Sequence, residues 1–187
     1  MTENILEEAI RTLLQAVGED PERPGLRRTP ARVAQMYDEI LAGYRVDPAE
    51  LTAVSLYNDA YDEMIIVKDI EFFSMCEHHL LPFFGRAHVA YVPQNKIIGL
   101  SNVPRIVDMF ARRLQLQERM TQQIAQTLAD ILEPQGLGVI VEGAHLCAMM
   151  RGVQKEQARL MTSAMLGSFK TNPATRQEFL TLLKAGS

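Results

Sequence analysis

Apolar residues recur every three to four positions over 3–17, with Ile5, Leu6, Ala9, Ile10, Leu13, Leu14 and Val17 on one side. This period predicts an amphipathic helix, and Gly18 is a natural stop for it. Residues 19–28 are charged and interrupted by Pro21, Pro24 and Gly25, which is loop composition. Thr29 is placed to cap a second helix with Pro30 in its first turn, and Val33, Met36, Tyr37, Ile40, Leu41 and Tyr44 form its stripe. No pattern follows over 45–61. Residues 1–60 therefore read as an N-terminal helical arm whose apolar face calls for a partner surface, most simply a second copy of the chain.

From Met64 onward the period changes. Alternating and continuous apolar runs predict strands over 64–67 and 70–73, then over 83–92, with a short return over 96–100. Helical spacing resumes with Val103, Ile106, Val107, Phe110 and Leu114, and again with Ile124, Leu128 and Ile131, so two helices are expected with a junction near 115–119. Gly136 opens a strand expected to run to Met150. A last strand is expected over 159–169, and Thr171 or Asn172 with Pro173 starts a C-terminal helix ending near Lys184. Strands, two helices, strands again, with no alternating βαβ units, define an α+β domain over 61–187 built on an antiparallel sheet.

Composition narrows the function. With 47% apolar and 22% charged residues the chain is of ordinary globular type, and a net charge of −4 argues against a nucleic-acid surface as its main business. No apolar run reaches the length of a membrane span, and the first residues are acidic rather than signal-like, so no membrane partner is expected and the cytoplasm is the expected location.

The chemistry concentrates in two short stretches. The chain has two cysteines and four histidines, yet Cys76-Glu77-His78-His79 and His145-Leu146-Cys147 gather both cysteines and all the histidines but His88. Thiolate and imidazole suit Zn2+, and a catalytic site keeps three protein ligands with a fourth position open. Cys76 and His79, three apart in a tight loop or first helical turn, can point the same way, so Cys76, His79 and Cys147 are the expected ligands. Around Cys147 the pattern reads as strand, which would set His145 on the same side as Cys147. His78 and His145 are then left as candidate general acid and base. Two plainer arrangements compete: a disulfide, and a closed structural zinc site with His78 or His145 as fourth ligand.

Ser101 and Asn102 are residues of the helix-capping type. Together with Arg105 they make the start of the following helix a candidate anion site, to which Arg151 can add a second guanidinium near the metal. A capped helix with two surface arginines is the ordinary alternative. Gln117-Glu118 is a second suggestive pair, since a carboxylate can accept from the N1–H and 2-amino group of guanine. Taken singly, Glu118 is as readily a solvated helix-start carboxylate. No phosphate loop or dinucleotide glycine pattern is present.

Several of these stretches, taken together and in order, resemble GTP cyclohydrolase I. They are 75–83 (MCEHHLLPF), 98–101 (IGLS), 107–119 (VDMFARRLQLQER), and His145-Leu146-Cys147 with 150–153 (MRGV), and the likeness extends over 19–183. The resemblance implies a tunnelling fold, an antiparallel sheet with two helices on one face, in which sheets of several subunits close into a barrel. It also implies a homodecamer with sites at subunit interfaces. The implied reaction is hydrolysis of GTP to 7,8-dihydroneopterin triphosphate and formate, at the start of folate- or tetrahydrobiopterin-type pterin synthesis. On that likeness Cys76, His79 and Cys147 hold the zinc, and a water it activates attacks C8 of the purine. His145 protonates the ring nitrogen, His78 assists proton transfer, and Ser101 acts near the ribose oxygen. Gln117 and Glu118 read guanine, while Arg105, Arg151 and Arg32 of a neighbouring subunit hold triphosphate.

The chain also departs from the family pattern. Asn102 stands where a lysine is usual, and Ala158 and Leu160 replace a serine and a threonine. These changes remove polar and cationic contacts near the phosphates, so weaker GTP binding is expected. The rival readings are a paralogue acting on a different purine nucleotide and one that binds nucleotide or pterin without turnover.

Overall fold

The structure is a computed structural model that describes residues 2–47 and 56–185. The described residues cluster into two compact units, Met1–Ala42 and Gly43–Ser187, so that residues 43–47 and 56–60, grouped with the arm in the sequence reading, cluster with the second unit.

The first unit is a helix pair, α1 (Thr2–Ala16) and α2 (Thr29–Ile40). Gly18 takes φ +87 just beyond α1, a left-handed conformation that glycine adopts without a Cβ penalty. Thr29 does not cap α2: it is the first helical residue, Arg28 holds the cap position, and no side chain bonds there. Pro30, whose missing N–H is an orphan in any first turn, needs no such partner. Ile5 and Leu13 on α1, and Val17 just beyond it, remain exposed, so an apolar strip of this unit is open.

The second unit is built on a long antiparallel hairpin, β2 (Ile65–Cys76) and β3 (Pro82–Val92), preceded by a three-residue strand β1 (Leu56–Asn58). β1 pairs with β4 (Lys96–Ile98) in a small separate sheet and lies within the stretch that shows no strand pattern in sequence. The apolar runs at 64–67 and 70–73 belong to one strand. A β-bulge between Val67 and Ile70 shifts the alternation, with Asp69 at φ +58.

Helix α3 (Asn102–Ala111), the two-residue strand β5 (Leu114–Gln115) and helix α4 (Gln117–Leu132) follow. Then come β6 (Gly136–His145), the helical turn α5 (Leu146–Met149), β7 (Leu160–Gly167), the turn α6 (Ser168–Thr171) and helix α7 (Pro173–Lys184). The main sheet has the order β5-β2-β3-β6-β7, antiparallel throughout except that β5 runs parallel to β2. α3 and α4 press Val103, Ile106, Val107, Met120, Ile124 and Leu128 onto one face, against Phe72, Phe83, Val89, Val139 and Val141. On the opposite face Phe169 and Phe179 cover Ala90 and Ile140, and Gly138 leaves room for both rings.

The strand expected to reach Met150 stops at His145. Register explains the stop: His145 pairs with Phe83, and the next residue of β3, Pro82, has no N–H to offer a continuing ladder. The chain turns instead into α5, which carries Cys147. The ends of β2 and β6 and the starts of β3, β7 and α4 thus meet at one end of the sheet.

Candidate active site

Cys76 closes β2 and is 5% exposed. The loop that follows is pinned by its own backbone: Cys76 N–H donates to Leu81 O at 2.9 Å, Leu80 N–H to Cys76 O at 2.9 Å, and Glu77 N–H to Gln115 O at 3.1 Å. Leu80 takes φ +52 to complete the turn. His79 is thereby turned to Cys147, which arrives on α5, and one donor atom from each of Cys76, His79 and Cys147 lies within 4.8 Å of the others. Tetrahedral zinc with bonds of ~2.0–2.3 Å sets its donors about 3.5 Å apart. Only a slight closing of this triad is needed, so the three side chains fit a divalent ion of the thiolate-binding kind.

The electrostatics agree with that fit. Burial, and then the neighbouring Cys76 thiol, push the Cys147 thiol above its ordinary range. Two adjacent thiolates repel unless a cation lies between them, and a bound metal reverses the preference. Arg151 reaches the same cluster: its Nη1 is 3.0 Å from His79 Nε2 and 3.5 Å from Cys147 O. His78, exposed, has its ring 6.1 Å from that of His79 and nearly perpendicular to it, at 82°.

His145 does not share a strand with Cys147 as expected, yet it lies two residues from it at the end of β6. Its ring lies flat on Phe83, with centroids 4.5 Å apart and planes within 4°. Its Nε2 is 2.9 Å from Gln117 Oε1. Burial lowers the imidazole pKa, opposed by the charge of Glu118. Gln117 is 1% exposed, with its side-chain nitrogen bonded to Val141 O, Leu160 O and Thr162 Oγ1. Its neighbour Glu118 is exposed on the first turn of α4.

At the start of α3, Ser101 and Arg105 are exposed, and Ser101 makes no capping bond. Asn102 is 2% exposed, and its side-chain N–H2 has no partner among the described residues. Arg32 belongs to the first unit and is exposed on α2.

Sequence reasoning missed three contributors. Glu77 forms a two-pronged ion pair with Arg119 at 2.5 and 2.9 Å, tying the Cys76 loop to the first turn of α4. The Arg119 contact holds the Glu77 carboxyl below the usual carboxylate range. Phe83 supplies the platform for His145. Gly143 leaves space for the Gln117 amide, since a Cβ there would overlap Gln117 Oε1. A glycine inside a strand run was the only sequence signal for any of these.

The family sequence model described as GTP cyclohydrolase I matches residues 6–184. A GTP cyclohydrolase 1 of Leptospira biflexa is 54% identical over 185 residues, covering 99% of this chain and 99% of that one. One from Chlorobaculum tepidum is 54% identical over 176 residues, covering 94% of this chain and 79% of its own, and one from Campylobacter curvus is 49% identical over 179 residues, covering 96% and 94%. Among solved structures, that of the archaeosine synthase QueF-Like in the apo form covers 56% of this chain at 15% identity, with a TM-score of 0.47. No helix of the described residues is long and apolar enough to cross a membrane.

Proposed function

The chain belongs to the GTP cyclohydrolase I family, and from that premise we propose that it hydrolyses GTP with one water to 7,8-dihydroneopterin triphosphate and formate. The observation that carries the reading is the convergence of Cys76, His79 and Cys147 beside a His145 already fixed in orientation. When bound, Zn2+ held by those three residues supplies Lewis acidity that makes water a nucleophile near neutral pH.

The chain's own residues do the rest. Glu118, exposed at the start of α4, accepts from N1–H and the 2-amino group of guanine and so orients C8, with the adjacent Gln117 belonging to the same pocket wall. His145 gives a proton to the imidazole-ring nitrogen as the C8–N9 side opens, because a neutral leaving nitrogen departs more readily than an anion. His78, exposed on the loop surface, moves a proton during loss of formate. Ser101 sits at the ribose oxygen when the sugar opens before ring closure. Arg105, Arg151 and Arg32 of a neighbouring subunit hold the triphosphate, and Asn102 adds a neutral contact where the family usually has a charge. A homo-oligomer, a decamer in this reading, completes the site; Phe73, Leu100, Met150 and Val153, each more than 60% exposed, supply apolar surface for it. The cytoplasm, with its reduced thiols, is the matching location.

Zinc-loaded protein incubated with GTP is expected to release formate and pterin in equal amounts, and Cys147→Ala protein neither. Formate without pterin would confine the activity to ring opening. Absence of both from metal-loaded wild type would overturn the reading in favour of another purine nucleotide or of binding without turnover.

A further inference from the structure

The hydrogen-bond network beneath His145 has only one consistent direction. Thr121 Oγ1 is 2.7 Å from the backbone carbonyl of Gln117, which can only accept, so the single Thr121 hydroxyl proton is committed there. Thr121 Oγ1 is also 2.7 Å from Thr162 Oγ1, and with Thr121 already donating, Thr162 must be the donor of that pair. The Thr162 proton is then committed too. Its oxygen can only accept from the Gln117 side-chain atom 3.1 Å away. Val141 O at 3.0 Å and Leu160 O at 2.9 Å, both acceptors, surround that same atom. It is therefore the N–H2 end of the amide, and a flipped amide would set one carbonyl against two others. Oε1 is left facing His145, and since it only accepts, the Nε2 that lies 2.9 Å away must carry hydrogen.

Gln117 is too buried to turn, Gly143 leaves its oxygen in place, and Phe83 holds the ring plane. We propose that Gln117 is the positioning residue of His145, holding the neutral ring with its proton on Nε2 so that Nδ1 is the nitrogen that exchanges a proton with the substrate. This rests on the cyclohydrolase reading of the site. Both ends of the Gln117 amide are occupied inside the protein, so base reading falls to Glu118. An uncharged carbonyl under Nε2 accepts from the imidazole and, more strongly, from the imidazolium. Gln117 thus orients the ring through the whole proton cycle, favouring the cation less than a carboxylate would.

Two measurements on the zinc-loaded enzyme test this. Solid-state 15N spectra of histidine-labelled wild type, at a pH above the imidazole range, show the His145 tautomer, assigned by its loss in His145→Asn. A proton on Nε2 is expected, and a proton on Nδ1 overturns the proposal. In steady-state turnover of GTP, Gln117→Met is expected to lower kcat on the order of 100-fold, the scale of a misplaced acid–base group, with KM changed less than about threefold and with Nδ1–H appearing in the spectrum. A raised KM with kcat retained, together with lost preference for guanosine over inosine triphosphate, would make Gln117 a base reader and overturn it. Should Gln117→Met fail to fold, the wild-type spectrum still decides. A wild type that releases no formate overturns the cyclohydrolase reading instead, and the tautomer stays measurable.

Discussion

Phe83 and His145 face each other across the β3–β6 ladder with their rings parallel and 4.5 Å apart. Phe83 is fully buried and meets Phe72 edge-on at 5.8 Å, so the platform under the histidine is itself held by the core. Phe83→Leu keeps apolar volume but removes the flat surface. It is expected to cost about 1 kcal/mol of stability and to lower the rate of formate release roughly tenfold, with zinc content unchanged. Chemical unfolding, metal analysis and turnover on the same preparation check the three parts.

Gly143 faces the Gln117 amide from β6, and a methyl group there would overlap Gln117 Oε1 and come within 3.5 Å of His145 Nε2. Gly143→Ala is expected to fold with a loss of about 1–3 kcal/mol, the usual cost of overpacking. Its kcat should fall more than its KM rises. An alanine variant with unchanged kcat would show that the amide has other room to move.

His88 accepts the N–H of Asp69 on Nδ1 at 3.1 Å inside the bulge of β2. Burial lowers its pKa, the carboxylates of Asp69 and Glu142 raise it, and Arg86 and Lys68 lower it, with burial dominant. The unfolded chain therefore binds the proton more readily than the folded one. This contribution to stability is complete above the ordinary imidazole pKa of about 6.5 and is lost as the pH falls below it. His88→Gln keeps an acceptor without the titration and should flatten the decline between about pH 7 and pH 5, read by urea unfolding of both proteins.

Much of the fold and the gathering of Cys76, His79 and Cys147 was legible because it depends on local signals: helical period, a glycine stop, cysteine and histidine clustered in four residues. What was not legible depends on partners far away in sequence. The end of β6 at His145 is set by Pro82 on another strand, so the spacing that suggested a strand through Cys147 carried no information about it. β1 exists because β4 pairs with it, not because Leu56–Asn58 has a strand pattern of its own. Gln117 reads as a polar residue at a helix start. Its burial follows from the Val141 and Leu160 carbonyls and the Thr162 hydroxyl, which arrive only when β6 and β7 pair.

Asn102 stands buried at the head of α3 with its N–H2 unpaired among the described residues, an arrangement that gains nothing for stability. A lysine there would extend its ammonium along a longer stem. Asn102→Lys is expected to lower the KM for GTP about tenfold, the scale of one charge-assisted hydrogen bond. The effect should shrink in high salt and be absent with guanosine carrying no phosphates. An unchanged KM would mean that position 102 does not face the substrate.

The ladder pairing Phe83 with His145 and Val92 with Gly136 joins segments separated by much of the domain, with two helices threaded between them. Closing so long a loop is slow, and until it closes Cys147 has no fixed relation to Cys76 and His79. Metal uptake should therefore follow the final pairing event during refolding rather than nucleate it. Once bound, the ion draws the equilibrium toward the assembled sheet. A slip of one residue in that ladder would turn His145 to the other face while leaving both strands extended, so the arrival of the metal serves as a check on the alignment of the strands.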